Sequence, residues 1–179
     1  MMTQCSGFPP IAAPHARVLV LGSMPSVASL ARQQYYGHER NAFWPIMGRL
    51  LGAGPELPYD ERQRVLGERG VAVWDVLGEC YREGSLDTSI VPESETANDF
   101  STFFQEHPQI RAIFFNGSKA EAAFRRHVLP TVAELGREFR YTRLPSTSPA
   151  HAGRTFRQKL AAWRAVVRAL NEGRGETRR

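Results

Sequence analysis

Four short apolar segments, separated by stretches with helical periodicity, constrain the fold of this chain more than any other feature. The first three are apolar almost throughout, which is typical of strands buried on both faces of a sheet. Strands that alternate with helices favour a mostly parallel sheet covered on both sides. The four predicted strands are RVLVLG (17–22), GVAVWDV (70–76), IRAIFFNG (110–117) and FRYTRLP (139–145).

Helical patterns occupy the intervening and following segments, at 43–51, 59–69, 98–106, 118–128 and 155–170. The last places Phe156, Leu160, Trp163, Val167 and Leu170 on one apolar stripe. We therefore predict an α/β fold, a three-layer α/β/α sandwich around a central, mostly parallel four-stranded sheet. It forms a single domain over residues 1–171, and we expect residues 172–179 to be a disordered basic tail.

Composition narrows the functional class. Hydrophobic residues make up 42% of the 179 residues, which is enough for a full core. No apolar run approaches the roughly 20 residues that span a bilayer, and no signal peptide is evident at the start. Two cysteines, Cys5 and Cys80, provide neither a disulfide framework nor metal spacing. We expect a cytoplasmic protein without membrane association, metal or cofactor.

The charges are distributed unevenly along the chain. The net charge is +5, but acidic residues dominate between 60 and 106 and basic residues dominate between 137 and 179. A basic C-terminal part suits a polyanion such as a nucleic acid. Charged helix surfaces that simply face solvent account for the same pattern, so charge alone leaves both interpretations open.

The segment YYGHERNAFW (35–44) concentrates four aromatic residues beside a predicted loop. They either close a core or form a platform on which a flat molecule stacks. We expect Phe43 and Trp44 to anchor the following helix in the core, and Tyr36 to be the stacking face. Asn41 is a candidate N-cap for that helix.

Ligands of open α/β sheets bind beyond the carboxyl ends of the strands, so the residues there are candidates for function. GSMPS (22–26) makes a tight turn whose amides could face an anion or a carbonyl, and Ser26 could cap a short helix. Asp75 is either a structural acceptor or a base in a cleft. Asn116 is either a turn residue or a reader of a nucleobase edge.

After the fourth strand comes LPSTSPAHAGR (144–154), a segment stiffened by prolines and rich in hydroxyl groups. Hydroxyls and free amides can grip phosphate, and a stiff loop can wedge into a duplex. The DNA-binding residues predicted here are Pro145, Ser146, Thr147, Ser148, His151 and Arg154, together with Ser26 from the first turn.

Taken together, these motifs resemble the uracil-DNA glycosylase superfamily, and within it the hypoxanthine-DNA (deoxyinosine) glycosylase family. The resemblance covers roughly residues 17–165. It rests on LGSMPS, YGHERNAFW and LPSTSPAHAGR in the places of the family's motifs, with GVAVWDVL and IFFNGSKA between them. Two positions depart from the uracil-directed branches: Met24 stands where they carry Asp or Asn, and Leu144 stands where they often carry His.

The resemblance implies an enzyme that flips a deaminated base out of DNA and hydrolyses its N-glycosidic bond. The catalytic role that the hypoxanthine family gives to its Asn-x-Phe-Trp asparagine carries over to Asn41. We expect Asp75 to favour the developing sugar cation or to orient water. The predicted base-binding residues are Ser23, Met24, Tyr36 and Asn116.

Hypoxanthine is the expected base, and the enzyme is expected to act as a monomer. Both lysines, Lys119 and Lys159, lie at helical positions, so we expect a monofunctional enzyme that leaves an abasic site. Three alternatives remain at this point. They are a mismatch-specific uracil glycosylase, a nucleic-acid-binding module without catalysis, and a Ser-His-Asp hydrolase. The last is disfavoured because the sequence lacks the usual nucleophile elbow.

Overall fold

The computed structural model describes residues 1–172. The predicted disordered tail at 172–179 lies outside the described residues, except for Glu172, which instead ends the last helix. Residues 1–172 contain seven strands: β1 Thr3–Ser6, β2 Val18–Gly22, β3 Val71–Asp75, β4 Leu77–Arg82, β5 Thr96–Ala97, β6 Ala112–Asn116 and β7 Arg140–Leu144. Seven α-helices lie in the same described range: α1 Val27–Arg32, α2 Phe43–Leu51, α3 Tyr59–Glu68, α4 Phe100–Glu106, α5 Ser118–His127, α6 Leu129–Glu134 and α7 Phe156–Glu172.

The four predicted strands form the central sheet, in the order β3-β2-β6-β7, and every pair is parallel. Strands β2 and β3 are buried along their whole length, because helices cover both faces. Helix α5 packs on β2 and β6, whereas α7 packs on β2 and β7 and against α2. Helix α2 packs against α7 and α3 packs on β3, whereas α6 packs against both α4 and α5. The predicted three-layer α/β/α fold is confirmed.

A second, antiparallel sheet of order β1-β4-β5 is not predicted from the sequence. Strand β4 follows β3 with only Val76 between them, so the sequence shows one apolar segment where the fold has two strands. Strand β1 is short and polar, and β5 has two residues. Such strands carry little periodicity. Cys5 and Cys80 face each other across β1 and β4 as buried free thiols.

Two helical predictions need correction. The segment predicted to stop at Pro130 continues as a separate helix, α6, with Pro130 in its first turn, where the missing N–H is tolerated. The predicted stripe of α7 is only partly buried. Trp163 and Leu170 lie in the core, but Phe156 is 40% exposed and Lys159, a charged residue, is 6% exposed.

Candidate active site

The carboxyl ends of the four parallel strands meet at one edge of the central sheet. Gly22 of β2 is in register with Asp75 of β3, and Asn116 of β6 is in register with Leu144 of β7. The chain after β3 is tied to the first turn, since the Val76 and Leu77 amides donate to the Gly22 and Ser23 carbonyls at 2.9 and 3.1 Å. The sequence-predicted residues that follow each strand therefore lie together.

Asp75 is buried, with 3% of its surface exposed, and its Oδ2 has no hydrogen-bond partner among the described residues. Burial raises the pKa of its carboxyl to about 7. The negative charge of Asp87 adds to this rise, and the Arg82 guanidinium opposes it. A carboxyl that changes charge near neutral pH inside a protein is a strong candidate for a functional group.

A side chain at position 22 would clash with two other residues, so the close packing here requires glycine. A Cβ added there would lie 2.4 Å from Asp75 Oδ1 and 3.0 Å from the Tyr36 hydroxyl. Three elements of the site thus meet at one point of close approach. The turn then continues with Ser23 and Met24, which are 8% and 7% exposed, so neither presents a large surface to solvent.

Tyr36 contacts the core with one face of its ring. The ring stacks on Phe43, with the centroids 4.1 Å apart and the planes inclined at 28°. Its backbone has a φ of 53°, which is an unusual conformation for a large side chain. Phe43 and Trp44 are buried, as predicted from the sequence.

The Tyr36 hydroxyl is also buried and has no hydrogen-bond partner among the described residues. Burial and the nearby charge of Asp75 raise its pKa above the ordinary value. The Asn116 carboxamide lies close enough to oppose that rise. The phenol therefore stays protonated, and its unsatisfied oxygen lies between an acid and an amide at the strand ends.

Thr147 joins three parts of the site. Asn116 Nδ2 donates to Thr147 Oγ1, and the Thr147 amide donates to Asn116 Oδ1, both at 2.9 Å. The Thr147 carbonyl accepts from the Ala42 amide at 2.9 Å. This bridge holds the loop after β7 against the end of β6 and the start of α2. Asn41, beside Ala42, is thereby positioned relative to Asn116.

Asn41 uses only half of its carboxamide within the protein. Its Oδ1 accepts from the Phe43 amide at 2.9 Å, but the N-cap position of α2 is occupied by Ala42, so the prediction of Asn41 as the N-cap is wrong by one residue. Its Nδ2 donates no hydrogen bond to a described residue. Asn41 lines a cleft of about 360 Å³ with Ala42 and Thr147. Two N–H donors are therefore available for a ligand in this cleft.

The remaining predicted residues divide into internal and exposed groups. Ser26 accepts from the Ser29 amide at 3.1 Å and caps α1. Ser146 and Ser148 each accept a backbone amide two residues later, at 3.2 Å, which shapes the loop. The Pro145 carbonyl accepts from Trp163 Nε1 at 3.0 Å. His151 and Arg154 are exposed beyond this loop.

Three site residues are not predicted from the sequence. Asp87 accepts a 2.6 Å hydrogen bond from the Ser23 hydroxyl. Arg82 is 1% exposed and donates to the Pro25 carbonyl, while its Nε and Nη1 have no partner among residues 1–172. Arg82 ends strand β4, and Asp87 begins a short 3-10 helix, Asp87–Ser89, in the segment after it. Lys159 lines the cleft, and its spacing of four from Trp163 is the sequence signal that could have identified it.

No cluster of three or more metal-ligating side chains occurs within the part of the chain that the structure describes. Across the same residues, no helix combines the length and apolar character that crossing a bilayer requires. The arrangement instead offers a buried acid, a phenol, two carboxamides and a cleft with basic residues at its rim. Such a set can hold a planar polar molecule and an attached anion.

Known proteins share this fold and much of this sequence. Two relatives named "Hypoxanthine DNA glycosylase" come from Methanosarcina acetivorans and Methanosarcina barkeri. The first is 35% identical over 90% of this chain and 97% of its own length, and the second is 30% identical over 88% and 94%. A solution NMR structure from M. acetivorans, described as a "putative Uracil DNA glycosylase", superposes with a TM-score of 0.75 at 32% identity, over 94% of this chain and 99% of that one.

The family model for the Uracil DNA glycosylase superfamily matches residues 9–171. This range contains the carboxyl ends of the four central strands, the Tyr36–Trp44 segment and the loop after β7. On this match and on the two relatives of 30% identity or more, the chain belongs to the Uracil DNA glycosylase superfamily.

Proposed function

We propose that this protein is a monofunctional DNA glycosylase that removes hypoxanthine from deoxyinosine flipped out of DNA, leaving an abasic site. The observation that carries the proposal is the convergence of Asp75, Tyr36 and Asn116 at one sheet edge, bridged by Thr147 to Asn41. Family membership supports the reaction, and the names of the two Methanosarcina relatives support the choice of base.

The residues proposed to act on the base lie at buried strand ends, so a base can reach them only after it leaves the duplex. A base within a duplex cannot be reached, and extruding it costs a few kcal/mol, least when the base is mispaired. Stacking on an aromatic ring offsets part of this. We assign that role to the Tyr36 face that Phe43 does not cover. Ser23, Met24 and Asn116 complete the base pocket.

Asn41 acts by positioning, because an amide does not ionise near neutral pH and is a poor general base. Its oxygen is occupied by the Phe43 amide, so the Nδ2 group is what it offers to the reaction. That group donates to the departing purine or to the attacking water. A donor fixed before the reaction stabilises developing negative charge without reorganisation.

Asp75 acts as the ionised carboxylate. Departure of the base leaves positive charge on the sugar, as in glycoside hydrolysis generally. A carboxylate in a poorly solvated site stabilises this cation or orients water towards it. Because burial raises its pKa to about 7, the reactive form increases as pH rises through neutrality.

The leaving purine receives negative charge, which fixed dipoles must stabilise. The backbone amides from Ser23 to Ser26 are candidates, together with the Asn116 carboxamide. Asn116 keeps one amide hydrogen and part of its oxygen free after binding Thr147. Ser146, Ser148, His151 and Arg154 contact the phosphates. We further propose that the enzyme acts as a monomer in the cytoplasm.

The test is a duplex with one labelled deoxyinosine, incubated without metal and then treated with alkali. Strand breaks at the inosine position are expected, because alkali cleaves an abasic site. An intact but retarded duplex would identify a binding module instead. Parallel duplexes with uracil opposite guanine, and with xanthine, rank the bases. Preference for uracil would reject the hypoxanthine assignment while leaving the glycosylase in place.

A further inference from the structure

Lys159 is a buried cation with almost no partner. It lies near the start of α7 and is 6% exposed, and the only hydrogen bond of its side chain to a described residue is a long one of 3.4 Å to the Ser148 carbonyl. It forms no ion pair with any of residues 1–172. Burial lowers the pKa of the ammonium group. A buried charge without a counter-charge is unfavourable, so its presence calls for an explanation.

The cleft beside Lys159 has an excess of positive charge. It is also lined by Arg40 and Arg154, and neither forms an ion pair with a described residue. The acid at its rim, Glu39, is 3.1 Å from Arg32 and is thus already paired. The cleft holds about 360 Å³, which is enough for an anion and part of an attached sugar.

Lys159 and Asn41 line the same cleft, and Thr147 lies between the two segments that carry them. An anion bound by Lys159 is therefore adjacent to the proposed position of the glycosidic bond. In DNA, the anions adjacent to a nucleoside are its own two backbone phosphates. A phosphate also matches the three donors of an ammonium group.

We propose that Lys159 binds one backbone phosphate flanking the flipped nucleotide, with Arg154 closing over it from the solvent side. The proposal rests on the proposed function, since it places the nucleotide in the cleft. The ammonium group already lies in the wall of the cleft, on a long helix, before DNA arrives, so binding the phosphate requires little further ordering of the side chain. A phosphate bound by a side chain of the rigid helix α7 also fixes the position of the attached sugar relative to Asn41.

The direct test combines Lys159→Met with single methylphosphonate substitutions, which remove the charge of one phosphate at a time. Binding is measured to a duplex that contains a tetrahydrofuran abasic-site analogue, so no excision is required. We expect Lys159→Met to weaken binding about tenfold, as for the loss of one charged hydrogen bond. At one flanking position, methylphosphonate should weaken the native protein similarly and leave the variant unchanged.

Arg168→Gln is the matched control. Residue 168 lies half a turn around α7 from Lys159 and is exposed, so it loses the same charge on the opposite face. The loss of binding free energy in Arg168→Gln should add to the loss caused by each single methylphosphonate. Thermal unfolding of Lys159→Met checks that the fold is intact, which we expect because methionine keeps the length of the chain and removes a buried charge.

The proposal would be overturned if the losses in binding free energy from Lys159→Met and from a single methylphosphonate added up at each of the two flanking positions. Borohydride trapping of Lys159 on abasic DNA would also overturn it, because the amine would then reach the sugar carbon instead of the phosphate. Either result is distinguishable from failure of the proposed function, which would appear as intact deoxyinosine DNA with the native protein.

Discussion

The inner and outer halves of the site differ in burial and in charge. The inner half, at the ends of β2 and β3, is closed and contains Asp75 with an unpartnered oxygen beside the Tyr36 hydroxyl. The outer half is an open cleft with Asn41 at its base and basic side chains around it. The first is suited to changing the energy of a reacting bond, and the second to holding a polyanion.

This contrast separates two kinds of variant. Changes in the inner half should alter the excision rate and its pH dependence and leave DNA affinity nearly unchanged. Changes at the rim of the cleft should alter affinity and salt dependence and leave the rate of bound enzyme unchanged. Asn41 lies at the boundary between the two halves, so its variants test whether the division holds.

The largest effect is expected for Asp75→Asn. The native carboxyl ionises near pH 4 in the unfolded chain and at about 7 in the folded one, so folding stability falls as pH rises through this window, by up to roughly 4 kcal/mol. Asparagine does not ionise. The variant should therefore have a larger free energy of unfolding than the native protein at pH 8, and a similar one near pH 4, in denaturant titrations.

The excision rate of the native enzyme should increase with pH, whereas its folding stability decreases. In the native enzyme it should rise as pH passes through about 7, whereas in Asp75→Asn it should be low and independent of pH. Asp87→Asn is the matched control, because it keeps the acceptor for Ser23 and removes the charge that raises the Asp75 pKa. Its profile should move to lower pH. If Asp75→Asn kept the native pH profile, Asp75 would have no part in the mechanism.

Asn41→Ala should reduce excision at least about tenfold with DNA binding retained, as when a positioned polar group is removed. Alanine also removes the acceptor for the Phe43 amide, the first residue of α2, at about 1 kcal/mol. Asn41→Asp keeps that acceptor and removes the donor, so it isolates the proposed role. Single-turnover rates measure the effect. Native activity in both variants would contradict the assignment.

Asn116→Ala tests whether this residue contacts the base or only holds the loop. It removes two hydrogen bonds to Thr147, so we expect a loss of roughly 2 kcal/mol in stability together with a loss of excision. Thr147→Val removes only the hydroxyl bond and leaves the Asn116 carboxamide in place. If the two variants excise equally slowly, Asn116 acts through the loop and not on the base.

The smallest effect is expected for Arg154→Gln at the outer rim. The side chain is exposed, so its phosphate contact should contribute only severalfold in affinity. The slope of log affinity against log salt should decrease by about one. Titrations at several salt concentrations measure it. A fall in the single-turnover rate at saturating enzyme would contradict the division between the two halves.

The sequence predicts the central sheet because β2, β3 and β6 are buried on both faces and so are continuously apolar. It also indicates a candidate site, since the polar residues Asp75 and Asn116 stand at the carboxyl ends of two of those strands. The antiparallel sheet is not predictable from periodicity, because its strands are short, polar or directly joined to β3. Arg82 and Asp87 therefore become visible only in three dimensions.

Lys159 illustrates a different limit. Its spacing from Trp163 places it on the buried face of α7, but a lysine at such a position is usually interpreted as a solvated charge. Phe156, expected in the core, is instead exposed at the mouth of the cleft. The hydrophobic pattern of α7 cannot predict the burial of these two residues, because the loop after β7 determines their surroundings.

The Thr147 bridge gives this site a natural spectroscopic reporter. The Ala42 amide donates to the Thr147 carbonyl, so its chemical shift and its rate of deuterium exchange depend on where the loop after β7 lies. One nitrogen resonance at the start of α2 would thus follow the seating of a loop that begins about a hundred residues later in the chain, and would do so before any bond in the DNA is broken.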